Sequence, residues 1–167
     1  MAIDVNTQST FVFRRITIVG IGLIGSSFSR ALKSKAGLVE EIIAVDSDKE
    51  NLAKASDLGI VDTICDDINE AVSRSDCVVL CTPIGTYEEI VKQIAPSLPA
   101  GCVLSDVGSV KAQPIEKIIP YIPQVINENG KIILSGIISS QKDDIIKLLN
   151  LYNFKVDHVV SKKDWIC

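Results

Sequence analysis

From Ile16 onward, short β-branched runs alternate with stretches whose apolar positions recur at helical spacing. That alternation predicts strands covered on both faces by intervening helices, the arrangement of a parallel α/β sheet. Ile16 to Val19 reads as a first buried strand. Ile24, Phe28, Ala31 and Leu32, at i, i+4, i+7 and i+8, read as the inner face of a helix stopped by Gly37. Ile42 to Val45 is the second strand, ending at Asp46, and Asp48 caps a helix that stops near Gly59. Ile60 to Cys65 reads as a short third strand, Cys77 to Cys81 as the fourth and Cys102 to Ser105 as the fifth. Asp67 with Glu70, and Thr86 with Glu89, have capping-box spacing. The second box precedes Ile90, Val91 and Ile94 in a helix closed by Pro96 and Pro99. A further helix from Val110 to Ile119 tolerates Pro114 near its start.

Past Pro120 and Pro123 the pattern resumes after a turn at Asn127 to Gly130. A strand at Lys131 to Leu134, a helix through Leu151 and an alternating strand at Phe154 to Val160 follow, and Trp165 to Cys167 falls inside a further strand. The expected organisation is a leader over 1–14, a core over 15–123, and a strand–helix–strand extension of the same sheet over 124–167. All of it forms one domain, a three-layer, doubly wound, mostly parallel sheet. A shortened last strand leaves an open edge, through which a homodimer would form.

At 167 residues, with 47% hydrophobic and 23% charged side chains, the chain has the composition of an ordinary globular domain. The formal charge of −4 argues against grip on a nucleic-acid backbone. No apolar run approaches the roughly 18 residues of a membrane span, and MAIDVNTQST lacks the features of a secretory signal. Five cysteines without a C-x-x-C pair read as small buried hydrophobes of a reducing, cytoplasmic compartment, and no metal site is expected. A single histidine excludes chemistry that needs two.

The sharp motif is VGIGLIG, with Gly20, Gly22 and Gly25 in G-x-G-x-x-G spacing between a strand and a helix. Gly20 permits the tight turn, Gly22 lets the backbone approach a pyrophosphate, and Gly25 lets helix and strand pack closely. Leu23 and Ile24 open the helix, whose free N–H groups and dipole favour the diphosphate. Asp46 lies 21 positions beyond Gly25, where a carboxylate accepts both ribose hydroxyls of NAD and repels the 2′-phosphate of NADP. The expected cofactor of this Rossmann-type core is therefore NAD. S-adenosylmethionine is disfavoured, because Val19 stands where its loop carries an acid and Ile24 where it carries a third glycine.

The runs ITIVGIGLIGSSFSRALK, IIAVDSD, CVVLCTPIGTYEEIV and LSDVGSVK resemble the nucleotide-binding domain of the prephenate/arogenate dehydrogenase family, over Arg15 to Pro123. The resemblance implies an oxidoreductase of tyrosine biosynthesis, performing NAD-dependent oxidative decarboxylation of prephenate or arogenate. It places Thr82 and Pro83 at the nicotinamide pocket and matches Ser109 to the serine that hydrogen-bonds the substrate hydroxyl. The alternative for Ser109 is a helix N-cap preceding VKAQ. With Cys81 and Asp106 at the carboxyl ends of their strands, the cofactor set is Gly20, Gly22, Leu23, Ile24, Gly25, Asp46, Cys81, Thr82, Pro83 and Asp106.

Two departures stand against activity of this chain alone. KIILSGIISS occupies the place of the family's strand leading to a catalytic His-Pro, and the family's helical second domain has no counterpart. INENGKIILSGIISSQKDDIIKLLNLYNFKVDHVVSKKDWIC instead resembles the end of a ribosomal-protein lysine methyltransferase domain. His158, in KVDHVV, reads as a half-exposed strand residue. The expectation is an NAD-binding domain of a fused or chimeric chain. A non-catalytic composite is the alternative, and methyltransfer a remote one.

Overall fold

The computed structural model describes residues 11–108, 115–116, 118–126, 131–134 and 137–166. Ser109, Cys167, the turn at Asn127 to Gly130 and most of the Val110 to Ile119 helix lie outside these. Within them, residues 115, 116 and 118 are helical.

Five strands form one parallel sheet in the order β3-β2-β1-β4-β5: β1 Phe13–Val19, β2 Val39–Val45, β3 Thr63–Ile64, β4 Cys77–Leu80 and β5 Val103–Asp106. The order reverses between β1 and β4. The chain first winds outward through β2 and β3, then crosses back to place β4 on the other side of β1. Alternate residues of β1 serve different faces. Ile16 and Ile18 pack with Ile42, Ala44, Leu52, Ala55 and Val79, while Val19 packs with Val78, Leu80, Val72, Tyr87, Val91 and Ile94. Continuous apolar strands are what a sheet covered on both sides requires, and the three layers follow. Thr17, fully buried, places its hydroxyl 2.6 Å from Ser75 Oγ and 3.3 Å from the Ala71 carbonyl oxygen, so its polar atom is satisfied inside the core.

The helices are α1 Leu23–Lys33, α2 Lys49–Asp57, α3 Ile68–Ser73 and α4 Tyr87–Ile94. Asp48 caps α2 by accepting from Glu50 N and Asn51 N, and Asp67 caps α3 by accepting from Asn69 N and Glu70 N. Thr86 does not cap α4. A 3-10 turn, Ile84–Thr86, precedes that helix and draws the Thr86 hydroxyl to the Pro83 carbonyl oxygen, 2.8 Å away. The leader boundary also shifts: β1 begins at Phe13, paired with Val39, so the strand starts inside the stretch expected as leader.

The larger correction concerns residues 124–167, which do not extend the parallel sheet. After the short helix α5, Ile122–Val125, come β6 Ile137–Ile138, helix α6 Lys142–Leu151, β7 Ser161–Lys162 and β8 Trp165–Ile166. These strands form their own antiparallel sheet, ordered β6-β8-β7, and β5 keeps its outer edge. A tight turn at Lys163, with φ of 54°, folds β8 straight back onto β7. Such a local closure needs two residues, where joining a parallel sheet needs a crossover of a dozen or more. Lys131 to Leu134 and Phe154 to Val160 are not ladder strands. The last strand is the central one of its sheet, so the open edge expected there lies elsewhere.

This unit has its own core: Ile137, Ile145, Leu149 and Ile166, with Ile115 and Ile119 from the preceding helical segment. Ile118 and Tyr121 of that segment turn the other way, against the core under α4.

Candidate functional site

The carboxyl ends of β1, β2, β4 and β5 converge at the switch point, where ligands of open α/β sheets bind. Each glycine of the loop has a separate role there. Gly20 has φ of 92°, and an added Cβ would stand 2.8 Å from Thr82 Cγ2. Gly25 presses α1 onto the loop: its Cβ would meet the Gly20 carbonyl oxygen at 2.1 Å. A Cβ at Gly22 would meet nothing within 4 Å, because this N-cap residue faces open space. No side chain caps α1 and no acid occupies its first turn, so the leading N–H groups and the positive helix end are left for an anion. Leu23 and Ile24 are exposed, at 92% and 58%.

Their exposure corrects the expected helix face. Gly25 and Ser29 are the buried positions of α1, flanked by the partly buried Phe28 and Leu32, whereas Ile24 and Ala31 face outward. Small residues meet the sheet because the helix sits so close to it, and the Ser29 hydroxyl donates to the Ile60 carbonyl.

Asp46 is held at the mouth of the loop. Its Oδ2 accepts from Ile21 N at 2.7 Å and its Oδ1 from Asp48 N at 2.9 Å, which fixes the carboxylate at the end of β2 beside the helix N-terminus. Across the crevice, Cys81 N donates to the Val19 carbonyl at 2.7 Å, tying the Cys81-Thr82-Pro83 loop to β1. Burial, then the nearby Asp106 charge, push the Cys81 thiol up to about 11, so it is neutral at physiological pH. Asp106 Oδ1 accepts from Gly108 N at 2.7 Å, closing the turn after β5. The structure thus brings Gly20, Gly22, Leu23, Ile24, Gly25, Asp46, Cys81, Thr82, Pro83 and Asp106 to one edge of the sheet. A dinucleotide fits this set: an uncapped helix end for the diphosphate, a carboxylate for a ribose, and open space at Gly22.

Residues 28–133 match the family described as prephenate dehydrogenase, nucleotide-binding domain. The chain belongs to that family. It is 35% identical to the cyclohexadienyl dehydrogenase of Zymomonas mobilis over 115 residues, which cover 69% of this chain and 39% of that protein. The crystal structure of Aquifex aeolicus prephenate dehydrogenase, in complex with hydroxyphenyl propionate and NAD+, superimposes with a TM-score of 0.61 at 28% identity. It covers 68% of this chain and 40% of that one. A second relationship runs beside the first. The ribosomal protein L11 methyltransferase of Prochlorococcus marinus strain MIT 9515 is 48% identical over 99 residues, 59% of this chain and 32% of that protein. The chain therefore spans about two fifths or less of the length of the relatives it matches.

Tyr87 is a residue beside the crevice that motif reading missed. It is 1% exposed, and its hydroxyl lies 3.3 Å from the Leu80 carbonyl oxygen and 3.5 Å from Asp106 Oδ1. The signal existed, since Tyr87, Val91 and Ile94 share one helical face at i, i+4 and i+7. His158 is exposed on the C-terminal unit, outside any strand. Among the described residues no group of three metal-ligating side chains occurs, and no helix is long and apolar enough to cross a membrane.

Proposed function

We propose that this chain binds NAD in the crevice between β1 and β4, as the cofactor half of an oxidative decarboxylase acting on prephenate or arogenate. The observation that carries this reading is the uncapped first turn of α1 at the switch point, with Gly22 facing open space. In this reading the N–H groups of Leu23 and Ile24 hold the diphosphate, Asp46 accepts the ribose hydroxyls, and Thr82 and Pro83 border the nicotinamide. Ser109, outside the described residues, orients the substrate hydroxyl. NAD, when bound, supplies the hydride acceptor; the chain's own groups only position it. NADP is disfavoured because its 2′-phosphate would meet the Asp46 carboxylate.

Turnover by this chain alone is expected to be negligible. General-base help is typically worth about 10²–10⁴-fold, and the chain's one histidine, His158, is exposed on the C-terminal unit. The ligands proposed are small molecules. Any homodimer would use an open edge such as that of β5, and a dimeric mass in solution scattering would support it.

Calorimetric titration with NAD, NADP and S-adenosylmethionine in parallel tests the reading. Saturable binding of NAD, weaker binding of NADP, and loss of NAD binding on Gly22→Leu are the expected results. No binding of any of the three would overturn it, and binding of S-adenosylmethionine alone would favour the methyltransferase relationship.

A further inference from the structure

Tyr87 stands where the two loops on the β4 side of the crevice come together. Its phenol, buried beneath them, reaches the Leu80 carbonyl oxygen at 3.3 Å and Asp106 Oδ1 at 3.5 Å. Leu80 is the residue before the Cys81-Thr82-Pro83 loop, and its carbonyl also accepts from Val107 N at 3.1 Å. Asp106 in turn holds Gly108 N at 2.7 Å. Gly108 is closely packed here: an added Cβ would lie 3.0 Å from Asp106 Oδ1 and 3.1 Å from Ile84 Cγ1. Thr86, one residue before Tyr87, has its Oγ1 2.8 Å from the Pro83 carbonyl oxygen and 2.9 Å from Thr82 Oγ1. The start of α4 thus grips both loops, Thr86 from the outside and Tyr87 from within.

We infer that Tyr87 is a positioning residue for the nicotinamide half of the cofactor, its one hydroxyl proton shared between the Leu80 carbonyl at the end of β4 and Asp106 in the turn Asp106 to Gly108. The inference rests on the cofactor reading above and adds a division of labour to it. The adenosine and diphosphate half is held by α1 and Asp46, on the far side of β1 from Tyr87. The nicotinamide half depends on loops fixed by their strand ends, by the Cys81 N bond to the Val19 carbonyl and by the α4 grip. A burial-protected phenol suits the task. Desolvation, then the Asp106 charge, push its pKa up to about 12.

The test compares Tyr87→Phe with the unsubstituted chain, titrated with NAD and with ADP-ribose, which lacks the nicotinamide ring. Removing one neutral hydrogen bond is expected to weaken NAD about 3- to 10-fold and to leave ADP-ribose within about twofold. Equal weakening of both ligands, or no change in either, would overturn the inference, because a merely structural role does not distinguish them. Should Tyr87→Phe fail to fold, amide exchange on the unsubstituted chain decides. NAD is expected to protect Leu80 to Pro83 and Asp106 to Gly108 together, beyond the protection ADP-ribose gives, and equal protection by both would overturn the inference. Binding of neither ligand by the unsubstituted chain would remove the cofactor reading itself, and this inference with it.

Discussion

Substitution of alanine at Gly25 and at Gly22 separates packing from ligand approach within a single loop. At Gly25 the new methyl group would be placed 2.1 Å from the Gly20 carbonyl oxygen and 3.3 Å from Ile18 Cγ2. An ordinary carbon–oxygen contact is about 3.3 Å, so α1 must lift off the loop by roughly 1 Å. The obstacle is backbone, which cannot rotate aside. Overpacking of this kind costs about 1–3 kcal/mol, against a gain of about 1 kcal/mol for alanine over glycine in a helix. A blocking backbone atom puts the overpacking at or above the top of that range, so a net loss of about 2 kcal/mol or more is expected. For a chain of this size that lowers Tm by at least about 4–8 °C. At Gly22 the methyl group meets nothing, and φ −64°, ψ −158° suits alanine. Stability should stay within about 0.5 kcal/mol, while NAD binding weakens at least tenfold, about 1.4 kcal/mol. Scanning calorimetry and titration of both variants give the comparison. A Gly25→Ala protein as stable as its parent, or a Gly22→Ala protein destabilised as much as Gly25→Ala, would refute the assignment of roles.

Asp46→Asn removes the charge that meets a 2′-phosphate while keeping an acceptor for Ile21 N, so the ratio of NAD to NADP affinity should fall about tenfold in paired titrations. Alkaline stability should decline from about pH 9. Burial raises the Cys77 thiol to about 12, so the folded state holds its proton where the unfolded state releases it. Its contribution is complete below about pH 9 and is lost towards pH 12 at roughly 1.4 kcal/mol per pH unit. Cys81, Cys102 and Tyr87 shift in the same direction, and urea unfolding across this range checks the slope in the parent and in Cys77→Ala. Ile119→Ala, at a fully buried position of the C-terminal core, should cost about 2–5 kcal/mol in chemical unfolding.

The parallel sheet was legible because its strands are buried on both faces and so read as unbroken apolar runs, as in CVVL and IIAV. The glycine spacing located the crevice, and Asp46 fell at its mouth. The face of α1 was misread because apolar periodicity assumes that large side chains meet the core. Here the close approach at Gly25 puts glycine and serine there, and Ile24 outside. The C-terminal segment shows a different limit. Phe154 and Val156 pack on the small core while Val160 is exposed, and a period of two says nothing about which strand, if any, lies alongside. Pairing depended on the turn at Lys163, where a left-handed backbone at a lysine gives no compositional signal.

The segment around Ile118 to Ile122 has no side left over: Ile118 and Tyr121 belong to one core, Ile119 and Ile122 to the other. One consequence is thermodynamic linkage across the molecule. A ligand that binds only the folded sheet adds RT ln(1 + [L]/Kd) to the free energy of every opening that also disrupts its site. Because the small sheet and the parallel sheet share this stave, melting the first uncovers part of the second. Nucleotide held at the glycine loop should therefore slow hydrogen exchange in the strands of the separate sheet, so that residues 137–166 would report occupancy of the crevice.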